Sequence, residues 1–416
     1  MNDKRVLMIA YHYPPVKASS GIQRTLKFSE YLRDHKWEPM ILTISPRAYE
    51  AVSNDQMDEI PSGMVVERAF GLDTARHLSL KGRYLRWMAQ PDRWVSWWPM
   101  GVIRGLQLIR RHKPRAIFAT FPIATAPMIG LTLHKLSGLP LVLDFRDGMT
   151  EPGYPVNPST WKIHRRLESR LIGACSRAIF TTRATRDMYA ERYPDKPASC
   201  WTVIENGFDE DNFRDAERGL DTRPLGNDGQ MVLVHSGVLY PAERDPRAFF
   251  AALQAMKAAG EVSAAGLRII LRATGTDDYY RKLLAEYGID DIVVIEPVVA
   301  YRIALQEMMR ADGLLLFQAA ACNKQIPAKL YEYARAGKPI IALTDFAGNT
   351  AGTLNTLQAP WIADITDAGQ IRSMLNSIIG RWKDGTLQGI ERQLADTCSR
   401  RSRTAELARL LDSLPA

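Results

Sequence analysis

The chain has 416 residues, 46% hydrophobic and 24% charged, with a formal net charge of +8. That length exceeds one ordinary core and predicts two domains, and the hydrophobic share excludes a disordered chain. The basic excess calls for a partner of opposite sign: nucleic acid, an anionic membrane face or phosphorylated small molecules.

The opening "MNDKRVLMIAYHYPP" holds only a short apolar run, too brief for a signal-peptide core. "RVLMIAY" reads as a strand covered on both faces. The loop "HYPPVKASSG", a helix from Gly21 onward and the run "PMILTI" complete a βαβ unit, its loop at the carboxyl end of the first strand. "RHLSLKGRYLRWMAQPDRWVSWWPMG" then mixes Arg76, Lys81, Arg83, Arg86 and Arg93 with Trp87, Trp94, Trp97 and Trp98. Such a mixture suits the headgroup level of an anionic inner-membrane face, and it equally suits tryptophans packed on a core. Basic residues interleaved with aromatics also fit single-stranded nucleic acid, but no nucleic-acid motif accompanies them, and none is expected as partner. "RAIFATF", a helix around "APMIGLTLHKLSG", "LPLVLDFRD", "RAIFTT" and "WTVIENGFD" continue the alternation.

After the polar stretch "RGLDTRPLGNDGQ" the pattern restarts with "MVLVHSG", the loop "VLYPAERDP" and the helix "RAFFAALQAMKAAG". "LRIILRATG", "DIVVIEP", "GLLLF" and "KPIIAL" supply further strands, and "SRTAELARLLDSL" a final amphipathic helix. The expected architecture is α/β, with two Rossmann-like doubly wound domains facing a cleft. The boundaries are placed at 1–205, 206–395 and 396–416, the last a helix returning to the first domain. No apolar segment approaches the roughly 18 residues of a membrane span. The four cysteines lack paired spacing and read as reduced thiols. The expectation is a cytoplasmic protein, peripheral on the inner membrane face if the tryptophan-rich stretch is exposed.

The segments "YPP…SSGIQRTLKFSEYLRDHKWEPMILT", "LVLDFRD", "VIENGFD", "SGVLYPAERDP" and "IPAKLYEYARAGKPII" together resemble the nucleotide-sugar glycosyltransferases of GT-B fold. The chain is most similar to the retaining family 4 of bacterial surface-polysaccharide synthesis. The matches run in order along nearly the whole chain. The resemblance implies a first domain that binds acceptor and a second that binds the nucleotide-sugar.

It also implies roles for particular residues. Glu332 matches the second acid of a Glu–seven residues–Glu signature, whose carboxylate accepts from donor ribose hydroxyls; an ionised carboxylate can take both hydroxyls of a diol. Lys324 stands where the first, sugar-reading acid is expected, so the sugar stays unread. Lys329 is placed near the donor diphosphate. After Gly237 the family commonly carries an arginine, here Val238; its second clamp position holds Arg244, a planar fork for phosphate oxygens. Backbone groups at Pro297 and Val298 are expected at the nucleobase. The small residues Ser19, Ser20 and Gly21 match the loop that lets backbone approach a ligand, with Arg24 one turn on. Asn206, Gly207 and Asp209 match the interdomain hinge.

Asp144, Arg146 and Asp147 follow an apolar strand, where a doubly wound sheet holds its ligands. Asp144 or Asp147 is read as orienting the acceptor and Arg146 as touching a phosphate, or the three as a structural ion-pair cluster. The family's cleft histidine is absent from "ATFPIATAP", leaving Thr120 or Thr125 to line the site, with His12 and His235 as other candidates by position. Each charged residue keeps a plainer alternative: Glu332 and Lys329 as solvated helix charges, Arg244 paired with Glu243 or Asp245, Ser20 and Gly21 as a helix-capping turn.

Arg244, Lys329 and Asp144 are thus expected to be catalytic, and the function implied is sugar transfer with retention to a glycan or lipid-linked acceptor. No cofactor or metal is called for: no Asp-x-Asp motif stands in a suitable loop. The alternatives are a GT-B epimerase or hydrolase and a non-enzymatic nucleotide- or nucleic-acid-binding protein.

Overall fold

Alternate residues of the first strand face opposite cores. In the computed structural model, which describes residues 4–17, 20–54, 56–81, 83–241 and 243–415, Leu7 and Ile9 join one hydrophobic cluster with Ile117, Ala119 and Leu143. Val6 and Met8 join another, with Ile22, Leu26 and Phe118. Such a strand has no polar face, and the period of 2 is hidden in its sequence because both faces are apolar.

The chain forms two compact units: residues 1–206 with 400–416, and residues 207–399. The first unit holds β1 (Lys4–Ile9), β2 (Trp37–Ile44), β3 (Val65–Ala69), β4 (Ala116–Phe121), β5 (Leu141–Phe145), β6 (Arg177–Phe180) and β7 (Trp201–Val203). They pair in the order β3-β2-β1-β4-β5-β6-β7, every pair parallel. The order reverses between β1 and β4, which opens a crevice at the carboxyl ends of those strands.

The second unit holds β8 (Met231–Ser236), β9 (Leu267–Arg272), β10 (Val293–Glu296), β11 (Gly313–Gln318), β12 (Ile340–Thr344) and β13 (Ile362–Ala363). Their order is β10-β9-β8-β11-β12-β13, again parallel. Here the switch point lies between β8 and β11. Met231 and Leu233 face one cluster while Val232 and Val234 face the other, so this sheet too is covered on both sides.

The helix Arg400–Asp412 belongs to the first unit. Its Leu407, Leu410 and Leu411 share a cluster with Val6, Met8 and Trp37. Asp412 accepts from Lys4 Nζ at 2.6 Å and from Trp37 Nε1 at 3.0 Å, pinning the last turn to the start of β1 and β2.

All four cysteines are buried and unbridged; Cys175 and Cys200 touch, their sulfurs 3.8 Å apart. The tryptophan-rich stretch divides in two. Trp97 is fully buried and Trp94 packs on the same core, whereas Trp87 is 72% exposed beside exposed Leu80 and Leu85. Among the described residues no helix is long and apolar enough to cross a membrane.

Candidate functional site

In the second unit, four segments meet where the strand order reverses. The carboxyl end of β8 supplies His235, Ser236 and Gly237. The loop that follows supplies Arg244, and its Glu243 carbonyl accepts from Ala319 N–H, just after β11, at 2.8 Å. The helix Lys329–Ala336 comes next in the chain after that second loop. Its position is fixed by Tyr333, fully buried, whose hydroxyl accepts from Ser236 N–H at 2.9 Å.

Lys329, the first residue of this helix, lies over Gly237. A Cβ at Gly237 would stand 3.0 Å from Lys329 Nζ, and the glycine's φ of +114° is one that side-chain-bearing residues avoid. Nζ also lies 3.2 Å from His235 Nε2. Burial, reinforced by the nearby Arg244 guanidinium and opposed by Glu332, draws the Lys329 ammonium down to about 7. Arg244 donates through Nη1 to the Val238 carbonyl at 2.7 Å and stacks 5.2 Å from the Tyr240 ring centroid. Its buried Nε has no hydrogen-bond partner among the described residues. An arginine and a lysine are therefore held close to one glycine, an arrangement that favours an anion there.

Glu332 lies nearly one turn along the same helix, half-buried, and accepts from Tyr301 Oη at 2.7 Å. Tyr301 begins the helix Tyr301–Arg310, shortly after Pro297 and Val298. Those two residues line an open groove of about 840 Å³ with Val238, Gly275 and Tyr279. The Pro297 carbonyl already accepts from Arg272 at 2.7 Å, and Val298 is 80% exposed. Gly237, Arg244, Lys329 and Glu332 are thus brought together, and Pro297 and Val298 line a groove that shares Val238 with the Arg244 loop. Lys324 is half-buried in the loop before the helix; the neighbouring Asn323 donates to Asp345 at 2.5 Å.

The first unit treats its expected residues differently. Arg24 and Asp144 form a bidentate pair, 2% and 1% exposed, with Nη2 2.8 Å from Oδ1. Thr120 donates to the other carboxylate oxygen at 3.1 Å, and Arg24 also donates to the carbonyls of Ile204 and Glu205 at 2.8 and 2.9 Å. These polar atoms satisfy one another inside the sheet end, and Asp144 is ion-paired with Arg24, a partner outside the expected cluster of Asp144, Arg146 and Asp147. Arg146 is half-buried and donates to the Gly21 carbonyl at 3.1 Å, while its Nε is buried without a partner among the described residues. Asp147 is exposed. His12, beyond the end of β1, is lowered to about 4, by burial first and then by Arg146. Ser20 opens the helix Ser20–Tyr31; its side chain and Ser19 lie outside the described residues. Thr125 binds Asp92 through both N–H and hydroxyl, at 2.7 and 2.8 Å. Among the described residues no group of three His, Cys, Asp or Glu side chains is arranged to hold a metal ion.

Sequence reasoning missed Tyr301, Tyr333 and Arg272. Tyr301 sits at a helix start near the expected nucleobase segment, a position that could have flagged it; the other two read as ordinary core and strand residues.

Residues 23–212 match the family model described as Glycosyltransferase Family 4. No curated protein matches the chain. Among solved structures, the chain is similar to sucrose-phosphate synthase from Thermosynechococcus elongatus, at 12% identity over 98% of each chain with a TM-score of 0.66. It is similar to Anabaena HepE in complex with UDP-glucose, at 17% identity over 99% of this chain and 100% of that one, TM-score 0.64. It is also similar to UDP-GlcNAc 2-epimerase from Neisseria meningitidis bound to UDP-GlcNAc, at 10% identity over 99% and 100% of the two chains, TM-score 0.54. At such identities the likeness is one of fold: two Rossmann-like α/β domains of the GT-B kind.

Proposed function

We propose that the protein is a glycosyltransferase that moves a sugar from a nucleoside diphosphate-sugar to a glycan or lipid-linked acceptor. The observation that carries this reading is the seat at the β8–β11 switch point, where Lys329 lies over Gly237 near Arg244, with Glu332 along the same helix. The match of residues 23–212 to Glycosyltransferase Family 4 supports it. Lys329 and Arg244 neutralise the leaving diphosphate as its charge grows, which is electrostatic stabilisation of the transition state. Glu332, oriented by Tyr301, accepts from the ribose hydroxyls. In this reading no metal ion is required. Transfer proceeds with retention, the leaving phosphate taking the proton of the incoming hydroxyl. The setting that fits is bacterial surface or exopolysaccharide synthesis on the cytoplasmic side of the membrane.

A thermal-shift screen with UDP, GDP, ADP, CMP and their sugars tests the donor site. One nucleoside diphosphate at about a hundred times its Kd should add about 2.7 kcal/mol by mass action, a shift of several degrees. A flat response to all of them would overturn the reading.

For a lipid-linked acceptor, the contact to an anionic inner membrane face is the exposed run with Leu80, Leu85 and Trp87 among Lys81, Arg83 and Arg86. Apolar side chains flanked by cations bind such surfaces by burial plus attraction. The double variant Leu85→Ser, Trp87→Ser should lower sedimentation with phosphatidylglycerol vesicles about tenfold. Equal binding by variant and parent would remove this contact from the proposal.

A further inference from the structure

His235 is fully buried at the end of β8, and both of its ring nitrogens have polar neighbours. Nδ1 lies 2.9 Å from the Leu315 carbonyl. Nε2 lies 3.1 Å from the Gly237 carbonyl and 3.2 Å from Lys329 Nζ. Two carbonyls invite a doubly protonated ring, yet a cation 3.2 Å from Lys329 would face an ammonium. Two nitrogen bases this close titrate as a pair and hold at most one extra proton between them. Burial, and then Lys329, press the ring toward its neutral form, so Nδ1–H donates to Leu315 and the Nε2 lone pair receives Nζ.

Among the described residues, few charged and titratable groups face Nζ. They are His235 from β8, Arg244 from the loop that follows it, and Glu332 from its own helix. Tyr333, also on that helix, spends its hydroxyl oxygen on Ser236 N–H. Without a ligand the Arg244 charge opposes a second cation at Lys329. A diphosphate oxygen over Gly237 reverses that balance.

We propose that His235 is the positioning partner of Lys329, and that the pair takes up one proton from solvent when a nucleoside diphosphate occupies the seat over Gly237. The proton forms an N–H bond with the Lys329 lone pair, and buffer supplies it. The inference rests on the donor-site reading above and adds to it a pH dependence and a role for His235.

Two measurements on the full chain separate the inference from that reading. The first is pH-resolved acetylation of the free protein, read by mass spectrometry. Lys329 should react with a midpoint near 7, in keeping with its buried setting, while exposed lysines react near the ordinary value of about 10.4. A Lys329 midpoint near 10 would overturn the pair.

The second is calorimetric binding of UDP, GDP and ADP at pH 8 in buffers of different ionisation heat. The nucleotide that binds should take up close to one proton, and its affinity should fall toward tenfold per pH unit above 8. Lys329→Arg, which keeps the charge but cannot release it, should bind with no uptake and a flat profile. His235→Asn, which keeps an acceptor oxygen, should retain affinity within a few-fold, whereas His235→Leu should lose tenfold or more. Binding without proton uptake would overturn this inference alone. No binding by any of the three would overturn it together with the donor-site reading, whatever the midpoint of Lys329.

Discussion

Lys329→Met should lower turnover with the preferred nucleotide-sugar by 10²- to 10³-fold, because in the proposed reaction the charge it removes faces the leaving diphosphate where negative charge develops. Methionine retains the length of the side chain, so the helix Lys329–Ala336 keeps its packing through Leu330, Tyr331 and Tyr333, all fully buried. The loss should therefore fall on kcat, with the unfolding midpoint of the protein changed little. Arg244→Ala should show a smaller loss divided between KM and kcat, since Arg244 already spends one N–H on the Val238 carbonyl. Glu332→Ala should raise KM and leave kcat nearly intact, because a ribose contact holds ground state and transition state equally. Steady-state kinetics on the three variants decides the matter. A Lys329→Met enzyme within threefold of the parent would remove Lys329 from the chemistry.

The second large effect lies in the first unit and concerns folding. Asp144→Ala leaves the Arg24 guanidinium without its carboxylate in a place that water does not reach. An uncompensated buried charge of this kind costs about 3–5 kcal/mol. The double variant Arg24→Met, Asp144→Leu removes both charges and should recover most of that loss, because no orphan charge remains. Urea unfolding of parent, single and double variants reads the difference. If Asp144→Ala lost under 1 kcal/mol, the pair would not be structural, and Asp144 would return as a group held ready for the acceptor.

Much of this was legible from the residues, for reasons that can be stated. Strands such as "RVLMIAY" and "GLLLF" announce themselves by unbroken apolar runs, since a parallel sheet covered on both faces permits no polar position. Lys329 and Glu332 were singled out together by the family resemblance, and one helix holds them three positions apart. The Arg24–Asp144 pair was not, because 120 positions separate its members and only the closing of helix Ser20–Tyr31 onto β5 brings them together. The partners of Lys329 and Glu332 were hidden in the same way. His235 stands 94 positions from Lys329, and Tyr301 stands 31 from Glu332. The tryptophan-rich stretch held two populations that composition could not divide. Trp97 begins a helix whose one face is core, while Trp87 precedes it in the short 3-10 turn Arg86–Ala89, which leaves its ring exposed.

The helix Arg400–Asp412 carries a consequence for the order in which the protein is made. Its leucines close the hydrophobic cluster that holds Val6, Met8, Ile22 and Leu26. The ribosome delivers those early residues first and the covering helix last, after the whole of residues 207–399. Until then one flank of the first sheet lacks its lid. The second unit is an uninterrupted stretch of chain, so it is free to reach its native contacts before the first unit is sealed. The first unit's cluster thus cannot close before residues 207–399 have been made, and Leu407 and Leu411 are among the residues that close it.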